Sequence, residues 1–146
     1  FGGTHRRFEY KGCKSGITVI DDYAHHPTEV EATLSAAKNY PHGRIVCVFQ
    51  PHTYSRTKAF FKDFARVLST ADLIVLADIY AAREKNTYGI TSAAILDELK
   101  KLGCEAYYFS SFEEIENFLS ANCMNNDLLI TMGAGDIYQV GEHLLK

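Results

Sequence analysis

No stretch of this 146-residue sequence is an apolar run of 18 residues, and no basic leader precedes an apolar segment with a small-residue cleavage site. The residues at hand therefore hold neither a helical membrane span nor a secretory signal. A basic surplus is missing too: 15 Lys+Arg against 18 Asp+Glu leave a formal net charge of −3, and Arg6 and Arg7 are the only adjacent arginines. That argues against nucleic acid and for a small-molecule partner. Cys13, Cys47, Cys104 and Cys123 stand far apart with no C-x-x-C pair, and Cys47 sits inside an apolar run. Such thiols read as reduced side chains of a cytoplasmic protein. Two catalytic signatures are also absent. There is no G-x-S-x-G nucleophile elbow, and "GAGD" lacks the lysine and hydroxyl of a phosphate-cradling G-x-x-x-x-G-K-[ST].

What is present suffices for one compact domain. A chain of 146 residues, 47% of them hydrophobic, buries roughly 68–70% of its unfolded surface. It begins at Phe1 without methionine, which suits a piece cut from a longer protein and equally a processed or recloned start.

The segments alternate between two periodicities. "THRRFEY" places Phe8 and Tyr10 on one face, and with "ITVID" across the turn "KGCKSG" it reads as a β-hairpin. Val30, Leu34, Ala37 and Tyr40 recur at helical spacing over 28–40, behind a Pro27 suited to a helix start. Next come the apolar run "RIVCVFQ" and a helix from about Ser55 with Phe60, Phe64 and Leu68 on one face. "LIVLAD", a long loop, and a helix from Thr91 bearing Ile95, Leu99 and Leu102 follow. "AYYF" leads to a helix whose Ser111 and Glu114 fit a capping box, and "DLLIT" runs through "MGAGD" into a last helix with Val140 and Leu144. Unalternating strands separated by helices predict a doubly wound, mostly parallel, Rossmann-like α/β sheet, with the hairpin adding an antiparallel strand.

In such a sheet the carboxyl ends of the strands open on one edge, where ligands bind. The clusters expected there are Asp21, Asp22 and Tyr23; Gln50, Pro51 and His52; Asp78 and Tyr80; Ser110; and Gly133 to Asp136. Asp21, Ser111 and Asp136 equally suit caps or turns, and His25 and His26 suit a hydrogen-bonded loop. Arg56 falls in a first helical turn, where a cation gains nothing from the helix dipole; a bound anion would account for it. Zinc is not favoured. His25, His26, Glu29 and His52 could converge, but the spacing of zinc ligands is missing.

Three segments, "DDYAHHPTEV", "FQPHTYSRT" and "TMGAGDI", fall in this order at strand tips. Together with "RRFEY" they make the chain resemble the C-terminal domain of the Mur ligases over essentially residues 1–146. Tyr23 and "TEV" favour the members that add L-alanine to UDP-N-acetylmuramate over the murein-peptide ligases. An acidic pair at a strand tip also suits a signalling receiver, but no lysine stands at the last strand tip.

The resemblance implies an ATP-dependent ligase of three domains, with the phosphate loop and the main magnesium ligands in the central one, so this domain alone is expected to be inactive. ATP converts the carboxylate of UDP-N-acetylmuramate to an acyl phosphate, and the amine of L-alanine displaces phosphate. Residue by residue, it implies Arg7 near the ATP phosphates, Asp22 on the ribose hydroxyls and Tyr23 beside the nucleotide. His25, His52 and Arg56 meet the amino acid, with Gly135 and Asp136 lining the same pocket. His25 orients the amino acid or takes its proton. Thr53 departs from the arginine that some members carry there, which shifts the load of the amino acid's carboxylate onto Arg56 or His52.

Overall fold

The computed structural model describes residues 7–146. Among these, six strands form one sheet: β1 (Glu9–Lys14), β2 (Ile17–Asp22), β3 (Ile45–Phe49), β4 (Leu73–Leu76), β5 (Ala106–Tyr108) and β6 (Leu128–Met132). Five helices join them: α1 (Pro27–Lys38), α2 (Tyr54–Leu68), α3 (Ala93–Lys101), α4 (Phe112–Asn122) and α5 (Tyr138–Leu144). The sheet order is β1-β2-β6-β3-β4-β5, parallel throughout except for the β1–β2 pair. The expected doubly wound sheet with an antiparallel strand from the hairpin is what forms.

The continuous apolar runs explain the layering. Every residue of β3, β4 and β6 is buried, so both faces of the central strands need cover. On one face α1, α2 and α3 lay down Val30, Leu34, Phe64, Leu68, Ile95 and Leu99 against Ile20, Cys47, Phe49 and Ile130. On the other, α4 and α5 set Ile115, Leu119 and Val140 against Val19, Val46, Val48 and Leu129. At Gly141 an added methyl carbon would stand 2.9 Å from Val19 Cγ1; the absent side chain lets α5 lie directly on β2. At the amino edge the Arg44 fork binds Asp127 through Nε at 3.0 Å and Nη2 at 2.8 Å, joining the start of β3 to that of β6.

Several local expectations fail. The hairpin turn is only Ser15–Gly16, because Lys11 to Lys14 continue β1 past a bulge between Tyr10 and Gly12. Phe8 is not in the strand: it takes a φ of 53° just before it and packs on the core, while Tyr10 points to solvent. Phe60 and Leu102 are exposed as well. Leu102 lies past the end of α3, and Phe60 stands with its ring 6.2 Å from that of His26. Tyr40 follows the end of α1, yet still packs on the core. The position of Thr4 to Arg6 in the expected first strand lies outside the described residues.

The topology fixes where a site can form. The chain leaves β2 over one face to β3, moves outward to β5, then returns over the other face to insert β6 between β2 and β3. The carboxyl ends of β2, β6 and β3 thus flank the point where the winding reverses, the usual crevice of open α/β sheets.

Candidate functional site at the strand tips

The tip of β2 is ordered by buried carboxylates. Asp21 Oδ1 accepts the Thr131 hydroxyl at 2.7 Å and ties β2 to β6, so Asp21 is neither a cap nor a surface acid. Asp22, 2% exposed, takes three donors: Ala24 N–H at 2.8 Å on Oδ1, and Phe8 N–H at 2.8 Å and the Thr33 hydroxyl at 3.0 Å on Oδ2. Arg7 Nε lies 3.5 Å from Asp22 Oδ1, and Arg7 Nη1 lies 3.7 Å from Glu29 Oε2. One carboxylate therefore holds the approach to β1, the tip of β2 and the first turns of α1 together.

Pro27 opens α1, and Glu29 reaches back to accept the backbone N–H groups of His25 and His26, each at 3.1 Å. Burial alone would raise the Glu29 pKa, but those two bonds, with the charges of His25 and Arg7, hold it below its usual value. The backbone of the two histidines is thereby locked. His25 Nδ1 lies 3.0 Å from the Tyr23 carbonyl. A carbonyl only accepts, so Nδ1 carries a hydrogen, and in the uncharged form of the ring the lone pair lies on Nε2.

From there the rings run across the strand tips. Tyr23 packs edge-on to His25 with centroids 5.3 Å apart; His25 is 5.6 Å from His52; and His52 stacks on Tyr80 at 5.3 Å and 14°. His52 and Tyr80 also pair through the backbone, Thr53 N–H to Tyr80 O and Tyr80 N–H to Pro51 O, both at 2.8 Å. Burial, followed by the charges of His25 and Arg56, lowers the His52 pKa against a smaller opposing pull from Glu84. His52 is accordingly neutral near pH 7, and the permanent cation beside it is Arg56.

Three buried side-chain atoms around the tip of β3 have no hydrogen-bond partner: Gln50 Oε1, His52 Nδ1 and Arg56 Nη1. Buried polar atoms are normally satisfied, so three within seven residues of chain give this tip unmet hydrogen-bonding capacity. Gln50 Nε2 donates to Asp136 Oδ1 at 2.9 Å, which fixes the amide with its oxygen away from the carboxylate. Gly135 is needed for this packing: an added methyl carbon there would stand 2.6 Å from both Gln50 Oε1 and Tyr80 Cδ1. Gly133 has φ 151°, and its added carbon would meet Gln50 O at 2.8 Å.

Of the residues expected at the strand tips, Tyr23, His52, Tyr80, Gly135 and Asp136 come to one edge, and His25 and Arg56, which the resemblance added, lie there too. Ser110 is not part of it, since its hydroxyl faces Glu114 beside α4. Asp78 takes the Tyr108 hydroxyl and lines a cleft of about 200 Å³ with Tyr54, Asn86 and Thr91. A cavity of about 290 Å³ at the amino end of β2, lined by Lys14, Ile17, Cys123 and Leu145, contains none of these groups. Among the described residues no three His, Cys, Asp or Glu side chains gather as metal ligands, and no helix is long and apolar enough to cross a membrane. Sequence reasoning missed Glu84, whose carboxylate accepts the N–H groups of Tyr54 at 2.7 Å and Ser55 at 3.0 Å. Its partners lie 29 and 30 residues away, and no local pattern marks it.

Such an edge belongs to a doubly wound α/β domain, the class of fold that takes its ligands at the strand tips. The profile of the Mur ligase, glutamate ligase domain matches residues 6–135, and the chain belongs to the Mur ligase family. The UDP-N-acetylmuramate–L-alanine ligase of Agathobacter rectalis is 69% identical over 146 residues, all of this chain and 32% of that protein. The crystal structure of the UDP-N-acetylmuramate-alanine ligase of Thermotoga maritima has a TM-score of 0.78 at 33% identity, covering 97% of this chain and 29% of that one. A murein peptide ligase from Psychrobacter arcticus has a TM-score of 0.75 at 22% identity over 96% of this chain and 29% of its own, a likeness of fold alone. The chain spans about a third of the length of the relatives it matches. Family membership leaves the signalling-receiver reading without support.

Proposed function

We propose that this chain is the C-terminal domain of a cytoplasmic, ATP-dependent ligase that joins L-alanine to UDP-N-acetylmuramate in building peptidoglycan, and that its strand-tip edge receives the amino acid. The observation carrying this reading is the unpartnered Arg56 Nη1 beside the neutral His52 and the His25 ring. An α-amino acid brings a carboxylate and an ammonium. Arg56 supplies a permanent cation with a planar fork for the carboxylate. Neutral His52 contributes hydrogen bonding only, so with Thr53 in place of an arginine the charge rests on Arg56.

In the reaction, ATP with magnesium supplies the phosphoryl group that turns the carboxylate of UDP-N-acetylmuramate into an acyl phosphate, releasing ADP. The alanine nitrogen then bonds to the acyl carbon, the carbon–oxygen bond to phosphate breaks, and phosphate leaves. An ammonium cannot attack until it loses a proton. His25 presents Nε2 as the acceptor for that proton, held by the Tyr23 carbonyl on its other nitrogen.

Arg7, ordered by Asp22 and Glu29 and partly open to solvent, suits the nucleotide's phosphates. Asp22 has three acceptor positions filled, which leaves about one for a ribose hydroxyl, and Tyr23 stands beside it. Gly135 and Asp136 line the amino-acid side through their contacts with Gln50. With no phosphate-loop motif in its sequence, this domain alone gives no turnover. In the full-length ligase, Arg56→Ala should raise the KM for L-alanine far more than the KM for ATP. An unchanged alanine KM would remove Arg56 from the pocket.

A further inference from the structure

Arg56 is the third residue of α2, so its guanidinium can be no better placed than that helix's first turn. Thr53, the N-cap, accepts the Arg56 N–H on its hydroxyl at 3.3 Å, and its carbonyl takes the Thr57 hydroxyl at 2.8 Å. Yet Thr53 has φ 67° and ψ 147°, a conformation that a β-branched residue adopts only under strain. A start of this kind does not hold itself.

The hold comes from the loop after β4. Glu84 Oε1 accepts the N–H groups of Tyr54 and Ser55, and Glu84 Oε2 accepts the Ser55 hydroxyl. Two of the four N–H groups that any helix leaves unpaired at its start are thereby satisfied from 29 or 30 residues away, by a charge matched to the helix dipole. The loop is itself bent to reach: Ala82 and Arg83, immediately before Glu84, have φ of 50° and 73°. Two successive left-handed residues without glycine are expensive, and here they turn Glu84 back onto α2. The same loop carries Tyr80, which is stacked on His52.

We infer that Glu84 is a positioning residue for amino-acid binding: it clamps the first turn of α2 and so fixes the Arg56 guanidinium that receives the substrate carboxylate. Both Glu84 oxygens are taken by Tyr54 and Ser55, so its effect on that carboxylate runs through Arg56. The inference rests on the role proposed above for Arg56. It also separates the two ends of α2's first turn by task. The leading N–H groups of the helix, otherwise an anion site, are filled by Glu84 at Tyr54 and Ser55 and by the Thr53 hydroxyl at Arg56, so the substrate's negative charge is directed to the side chain of Arg56.

The test uses steady-state kinetics of the full-length ligase. Glu84→Ala should raise the KM for L-alanine about tenfold, with kcat at saturating alanine and the KM values for ATP and UDP-N-acetylmuramate changed less than about twofold, a shift of roughly one tenfold step in binding. Glu84→Gln, whose amide oxygen can still accept from Tyr54 and Ser55, should recover most of the loss. Combined with Arg56→Ala, Glu84→Ala should add almost nothing. An alanine KM equal to the parent's in Glu84→Ala overturns the inference, as does an equal loss in all three KM values and kcat. If Glu84→Ala does not fold, Ser55→Ala, which removes one arm of the clamp, must raise the alanine KM selectively or the inference falls. If Arg56→Ala itself leaves the alanine KM unchanged, the reading of Arg56 has failed; if only the Glu84 and Ser55 variants are silent, that reading stands and the clamp alone is refuted.

Discussion

The ring of His52 lies on the ring of Tyr80, centroids 5.3 Å apart and planes within 14°. The stack shields an imidazole whose pKa is already depressed, first by burial and then by the charges of His25 and Arg56. A histidine with a folded pKa below its unfolded value of about 6.5 takes up its proton more readily when unfolded. Its contribution to stability is therefore complete above about pH 6.5 and is lost as the pH falls through the folded value. Tyr80→Ala should uncover the ring, move its titration midpoint upward and flatten this part of the stability profile. Imidazole titration by NMR checks it, and identical His52 midpoints in parent and variant would refute the shielding.

Thr53 invites a stability test because its hydroxyl and its backbone pull in opposite directions. The hydroxyl caps α2, and losing such a cap to alanine costs about 1 kcal/mol. The φ of 67° carries strain of about 1–3 kcal/mol, which only glycine escapes. Thr53→Ala should therefore destabilise, whereas Thr53→Gly should match or exceed the parent despite its freer unfolded chain. Urea unfolding of both decides it; a glycine variant weaker than the alanine variant would show that the backbone there is not strained.

How far the sequence led depends on how local each signal was. The runs in β3, β4 and β6 announce themselves because each strand is buried on both faces. Spacing also located Val30, Leu34, Ile95 and Leu99 correctly as core. It failed at Phe60, which lies mid-helix but off the buried face, and at Leu102, which lies past the end of its helix. At the site, residues next to strand ends were legible from topology alone. The Asp22 bonds to Phe8 and Thr33 and the Glu84 bonds to α2 were not, since they join segments whose proximity only the folded chain creates.

Gly135 should be intolerant of even one methyl group. Alanine there would press a carbon to 2.6 Å from Gln50 Oε1 and from Tyr80 Cδ1, and overpacking of this kind costs about 1–3 kcal/mol. Because both neighbours belong to the amino-acid edge, Gly135→Ala should raise the KM for L-alanine more than that for ATP. Gly103, with open space around its α-carbon, provides the contrast: Gly103→Ala meets strain from its φ of 80° but should leave both KM values at parental level. Equal kinetic effects at the two positions would disconnect Gly135 from the pocket.

Asp22 is asked to do two things at once, and a single substitution can part them. Its oxygens take Ala24 N–H, Phe8 N–H and the Thr33 hydroxyl while Arg7 stands at 3.5 Å. Asparagine is isosteric, but its amide nitrogen must face at least one of these donors, leaving a buried group unsatisfied at about 1–3 kcal/mol. Asp22→Asn should therefore lower the unfolding temperature. It should also release Arg7 and raise the KM for ATP, with the alanine KM less affected because His25 keeps its own bonds to Tyr23 and Glu29. Thr33→Val removes one donor without touching the carboxylate, so it should lower stability and spare the ATP KM. An ATP KM unmoved in Asp22→Asn would confine Asp22 to holding the strand tip together and leave the nucleotide to Arg7 and Tyr23.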